Sequence, residues 1–198
     1  MFKGYLTIII LILLTFIVAF VIQRFVNIRK YKVLESLIPI FNGRISYFFM
    51  PKLIGSYQGS RFTISFTPAG KSSPPYVNFY LLSPVSFKIT LTKEDVIERF
   101  MKKLRLVREV EINIPEFDKR YMIWANDKTR AQYLLSIDEI RDSINTIFEL
   151  GFDSLSTSKK GIKIIKPDYN LDIDLPKERV IKILDILLII ANRARQMG

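Results

Sequence analysis

From Leu6 to Ile22 every position is apolar except Thr7 and Thr15. With Phe2 to Tyr5 before the run and Phe25 and Val26 after it, the segment reaches the roughly 20 residues that cross a hydrocarbon core about 30 Å thick. A cleaved signal sequence is the rival reading. It would have a shorter apolar core, followed by two small residues flanking a cut. Ala19-Phe20-Val21 and Val21-Ile22-Gln23 do not supply them. The pattern therefore predicts an uncleaved anchor over 1–28, and no Cys follows to carry a lipid instead.

Periodicity changes beyond the anchor. Val33, Leu34, Leu37, Ile38 and Phe41 fall on one helical face. Residues 29–43 thus form either a continuation of the anchor, interrupted at Pro39, or a separate juxtamembrane helix or linker. Strand patterns follow over Arg44–Met50, Leu53–Tyr57, Arg61–Phe66, Tyr76–Leu82 and Phe87–Leu91, separated by Gly, Ser and Pro. A helix is expected over Thr92–Leu104, then strands over Arg105–Ile114 and Tyr121–Ala125. Asp127 is placed to cap a short helix through Leu135, and Ser136 with Glu139 reads as a capping box for a helix ending at Gly151. Phe152–Thr157 and Gly161–Lys166 read as a hairpin. Leu171, Ile173 and Leu175 alternate with Asp172 and Asp174 as in a strand. A last helix runs from Pro176 towards Met197.

Short connections favour antiparallel pairing. The expectation is α+β: a single N-terminal transmembrane helix, then one domain over 44–198 with a mostly antiparallel sheet packed by about three to four helices.

Charge adds an orientation. Arg24, Arg29, Lys30 and Lys32 follow the run, whereas only Lys3 precedes it. Basic residues concentrate on the cytoplasmic side, so the C-terminal domain is expected in the cytoplasm of a single-pass cell-membrane protein. The same four side chains are candidate contacts for anionic lipid headgroups. They account for much of the +11 charge; with Lys3 set aside too, 25 basic residues stand against 19 acidic ones in the remainder, a net +6.

Chemistry is sparse. The chain has no Cys and no His, which removes thiolate metal sites and the usual general base near neutral pH. Asp168, Asp172 and Asp174 lack the spacing of a calcium loop. Asp138, Glu139 and Asp142 suit the positive end of a helix better than acid catalysis. Lys102, Lys103, Arg105 and Arg108, and again Lys159, Lys160, Lys163 and Lys166, are basic runs without the aromatic platforms of a nucleic-acid module, so nucleic acid is not an expected partner. Trp124 is expected to pack on or edge the sheet. No phosphate loop or nucleophile elbow occurs, and no cofactor or metal is implied.

In the last helix Val180, Ile183, Leu184, Leu187, Leu188 and Ala191 make one core face. Ile186, Ile189 and Ile190 widen it into a continuous apolar run. Such a helix is buried deep or met by a partner, which makes these three isoleucines candidate partner-binding residues for another protein or a second copy.

Two segments resemble an uncharacterised group of prokaryotic membrane-anchored α+β domains of unknown function. One is Gly55 to Arg61 entering a strand; the other runs from Phe117-Asp118 through Trp124 and Asp127 to Ala131–Leu135. The resemblance implies an anchored α+β domain and no mechanism. The reading is a membrane scaffold or protein-interaction module without evident catalysis. A membrane-tethered hydrolase working through carboxylates or a metal, and a module that binds anionic lipid surfaces, are the alternatives.

Overall fold

The computed structural model describes residues 2–47, 50–93 and 110–197. The helix expected over Thr92–Leu104 lies outside them except for Thr92 and Lys93, which are in a strand. The run Lys102 to Arg108 and the first half of the strand expected over Arg105–Ile114 also lie outside, and the described half, 110–114, forms no strand.

An α+β domain stands on a long first helix. Helix α1 (Phe2–Phe41) is followed by β1 (Arg44–Tyr47), β2 (Pro51–Tyr57), β3 (Ser60–Thr67), β4 (Tyr76–Leu82) and β5 (Ile89–Lys93). Then come the short α2 (Pro115–Asp118), β6 (Tyr121–Ala125), α3 (Lys128–Ser136), α4 (Asp138–Glu149), β7 (Ser154–Ser158), β8 (Gly161–Pro167), the four-residue α5 (Leu171–Asp174) and α6 (Lys177–Gln196). All the strands among the described residues join one sheet in the order β1-β2-β3-β4-β8-β7-β5-β6. Every pairing is antiparallel.

Register explains the core. Ile45, Leu53, Ile64, Phe79, Ile164, Leu155, Leu91 and Ile123 stand opposite one another in turn across the eight strands. Directly opposed residues share a sheet face, so these side chains form one apolar row. All but Ile45 are 0–1% exposed. The helices α1, α4 and α6 cover that face; burying each large aliphatic side chain there stabilises by roughly 1.5–3 kcal/mol.

Several local expectations are modified by tertiary contacts. α1 does not stop before Pro39: the proline sits in its last turn, where its ring removes only the bond to the Glu35 carbonyl. The helix ends at Phe41 because Asn42 turns to φ +44° and the Gly43 N–H donates to the Ile38 carbonyl, closing a Schellman-type cap. Asp127 caps α3 as expected, its carboxylate accepting from the Arg130 N–H at 3.0 Å. Ser136 does not cap α4: its hydroxyl donates back to the Tyr133 carbonyl, and Ile137 occupies the N-cap without a side-chain bond.

The strand expected around Leu171–Leu175 is the α5 turn instead. Asp172 and Asp174 therefore do not share a solvated face: Asp174 is buried, and it is Ile173 that is exposed. In a helical turn Leu171 and Leu175, four apart, share a face while Ile173 points away from it, which is the exposure observed.

Among the described residues α1 is the one helix long and apolar enough to cross a membrane. Its large apolar side chains from Ile10 to Val26 are 45–71% exposed.

Candidate functional site

The junction between that bare stretch and the domain brings together buried, aromatic and charged side chains. Asn27, Lys30, Leu34, Leu37 and Phe41 recur at alternating spacings of three and four, which aligns them on one stripe of α1. Asn27, Leu34, Leu37 and Phe41 are 0–1% exposed. At the far end the Phe41 ring meets Phe62 edge-on, with centroids 5.1 Å apart, and Tyr57 at 5.9 Å. Gly55 makes that approach possible: a Cβ there would lie 2.9 Å from Phe62 Cζ and 3.1 Å from Phe41 Cβ. At the near end Lys30 Nζ donates to Asn27 Oδ1 at 3.1 Å and lies 5.5 Å from the Phe66 ring centre. Burial lowers the pKa of Lys30 from its ordinary 10.5. The docked part of α1 thus runs lengthwise, from Phe66 at one end of β3 to Phe62 near the other.

The α5 turn sits beside the near end. Asn170 caps it, its side chain accepting from the Asp172 N–H at 3.0 Å. The Asp174 carboxylate, 3% exposed, accepts from Lys166 Nζ at 2.6 Å and from the Asn170 N–H at 2.8 Å, with the Arg179 guanidinium 3.4 Å away. Lys166 and Arg179 both also donate to the Leu150 carbonyl. A buried carboxylate needs this much compensation, and removing one partner of such a pair costs about 3–5 kcal/mol. The turn is consequently moored to β8, α4 and α6. Asp172, in turn, accepts a hydrogen bond from Arg29 of α1. That ion pair is largely exposed and is worth at most about 1 kcal/mol, so its effect is to set position more than stability.

The four basic residues expected to meet headgroups have separate surroundings. Arg29 is held by Asp172, and Lys30 folds over Phe66. Arg24 and Lys32 instead line a groove of about 600 Å³ between α1 and β1, together with Asn27, Ile28, Tyr31, Glu35 and Ile45.

The apolar face foreseen on the last helix is not bare. Ile186 is 8% and Ile190 1% exposed, and Ile189 is half-buried against the core. α6 lies between α4 and the central strands, which cover its arc. Trp124 is buried on the edge strand β6. Asp138 and Glu139 pair with Arg141 and Arg193. Lys159, Lys160, Lys163 and Lys166 do not act together, since Lys166 points inward to Asp174.

Asp174 with its two cations, and the Arg29–Asp172 pair, were invisible in the sequence. The second joins residues 143 apart, and no local pattern announces such a contact.

No protein-family model matches the chain, and no curated protein matches it. The chain is similar in structure to the mycobacterial trehalose monomycolate transport factor A. The TM-score is 0.52 at 9% identity, covering 86% of this chain and 93% of that one. At that identity the likeness establishes the fold alone.

Proposed function

We propose that the chain is a single-pass membrane protein whose α+β domain serves as a scaffold or protein-interaction module held against the bilayer. One observation carries this reading: α1 passes without interruption from a bare apolar stretch into the core of the domain. Exposed apolar side chains over that length need a non-aqueous surrounding, and a helix satisfies its own backbone there. The stretch holds no Asp, Glu, Lys, Arg or His between Lys3 and Arg24, which suits a tether and not an ion pathway. The excess of basic residues after the stretch orients the domain towards the cytoplasm. The fold is shared with a protein named as a transport factor, which agrees with a non-catalytic part.

Membranes carrying the full chain should retain it through alkaline extraction. Purification in mild detergent should recover a stoichiometric partner or a homo-oligomer. A chain washed off by alkali would refute the anchor, and a clean monomer would refute the scaffold. Labelling of a Ser158→Cys variant by an impermeant reagent in intact cells would reverse the orientation.

The groove beside Arg24 and Lys32 supports a second reading, a contact with anionic lipid headgroups at the root of the anchor. Flotation with anionic vesicles should then weaken as salt rises in the parent chain, and an Arg24→Gln, Lys32→Gln double variant should bind less and respond less to salt.

A further inference from the structure

We infer that the α5 turn, with Ile173 at its tip, seats in the headgroup layer of the bilayer beside α1. This rests on the anchoring proposed above and adds the surface by which the domain touches lipid.

Ile173 is 57% exposed, more than any other large aliphatic side chain described beyond α1. Its neighbour Asp172 grips Arg29, which sets the turn against α1 at the height of that residue. Height along a helix is known: Arg29 lies seven residues beyond Ile22, about 10 Å, and three beyond Val26, about 4.5 Å. The headgroup region extends roughly 5–8 Å outside the hydrocarbon core on each side. A side chain beside Arg29 therefore falls within or at the rim of that layer.

Two features make the position firm. No Gly or Pro occurs in α1 between Gly4 and Pro39, so the helix has no hinge where it leaves the apolar stretch. The turn cannot fold back either, because Asp174 is fixed by Lys166 and Arg179 from inside the fold. A rigid mount thus carries one apolar tip towards the bilayer. The neighbouring Tyr169, half-buried against Phe66 at 5.2 Å between ring centres, is a residue type favoured at membrane interfaces. A protein partner would have to reach this tip in the narrow space beside the anchor, where lipid is already present.

The absence of Cys permits single-site nitroxides on the full chain. Leu13→Cys, Ile173→Cys and Lys160→Cys variants would be reconstituted in phosphatidylcholine–phosphatidylglycerol vesicles. Collision with oxygen and with a water-soluble nickel chelate would then be measured. Lys160 precedes β8, whose far end leads to α5 about 20 Å away, and serves as the aqueous reference. The expected result is severalfold fewer nickel collisions at position 173 than at 160, and fewest at 13. Equal nickel access at 173 and 160, with 13 still protected, would overturn this inference alone. Nickel access at 13 would overturn the anchor, and this inference with it.

Discussion

Ile10 to Val26 of α1 and the central turns of α6 are both runs of aliphatic side chains, yet their surroundings are opposite. In the first stretch the large apolar side chains are 45–71% exposed, while Val180, Ile183, Leu184, Leu187 and Ile190 of α6 are 0–1% exposed. Total apolar content does not separate them. What differs is the placement of polar residues: α6 carries Lys182, Asp185 and Arg193 around its apolar arc, so one side must face water and the other the sheet. The α1 stretch has no such side and therefore no direction in which to pack. Beyond Arg24 the same helix acquires charges and a stripe at spacings of three and four, and it docks.

The strongest way to break this contrast is to truncate both helices alike. Leu187→Ala should lower the stability of the full chain in detergent by about 3–4 kcal/mol, since it opens a cavity in a filled core. Leu13→Ala should change it by less than about 0.5 kcal/mol. Urea unfolding followed by Trp124 fluorescence would read both. A charge should reverse the ranking. On the proposed anchoring, Leu13→Arg costs about 3 kcal/mol of insertion and depletes the chain from the alkali-resistant membrane fraction, with the domain's circular dichroism unchanged.

Gly55→Ala sharpens the comparison within α1. Its new methyl meets the Phe62 ring at 2.9 Å, and such overpacking costs about 1–3 kcal/mol. The loss should appear in domain unfolding and leave membrane retention intact.

The smallest effect is that of alkaline pH. Burial raises the pKa of Tyr121 and Tyr169 above their ordinary 10.0. The unfolded chain therefore releases these protons first, and stability falls as pH climbs past 10. Lys30, lowered from 10.5 by burial, acts in the opposite sense, because the folded state sheds its proton earlier. Lys30→Met should make the decline steeper in urea titrations between pH 9 and 11.

These contrasts mark what could be read along the chain. The bare helix, the docked stripe from Leu34 to Phe41, the β7–β8 hairpin and α6 all announce themselves through patterns within 20 residues or so, the range over which periodicity is defined. Strand order does not. The β7–β8 hairpin inserts between β4 and β5, a choice made by contacts between Phe79, Ile164, Leu155 and Leu91 that no single segment contains. The candidate site divides in the same way. Arg24, Arg29, Lys30 and Lys32 stand out by their spacing from the apolar run, but only the fold assigns Arg29 to Asp172 and Lys30 to Phe66. The α5 turn was misread because Asp174 looks like any solvated acid until Lys166 and Arg179 are brought to it from β8 and α6.

The lengthwise docking of α1 also has a mechanical side. A tensile load applied to its N-terminal end, parallel to its axis, strains the contacts of Lys30, Leu34, Leu37 and Phe41 together, in shear. Peeling, which would part them one at a time, requires a sideways pull. A domain mounted this way resists being dragged by its tether far better than being tipped off it.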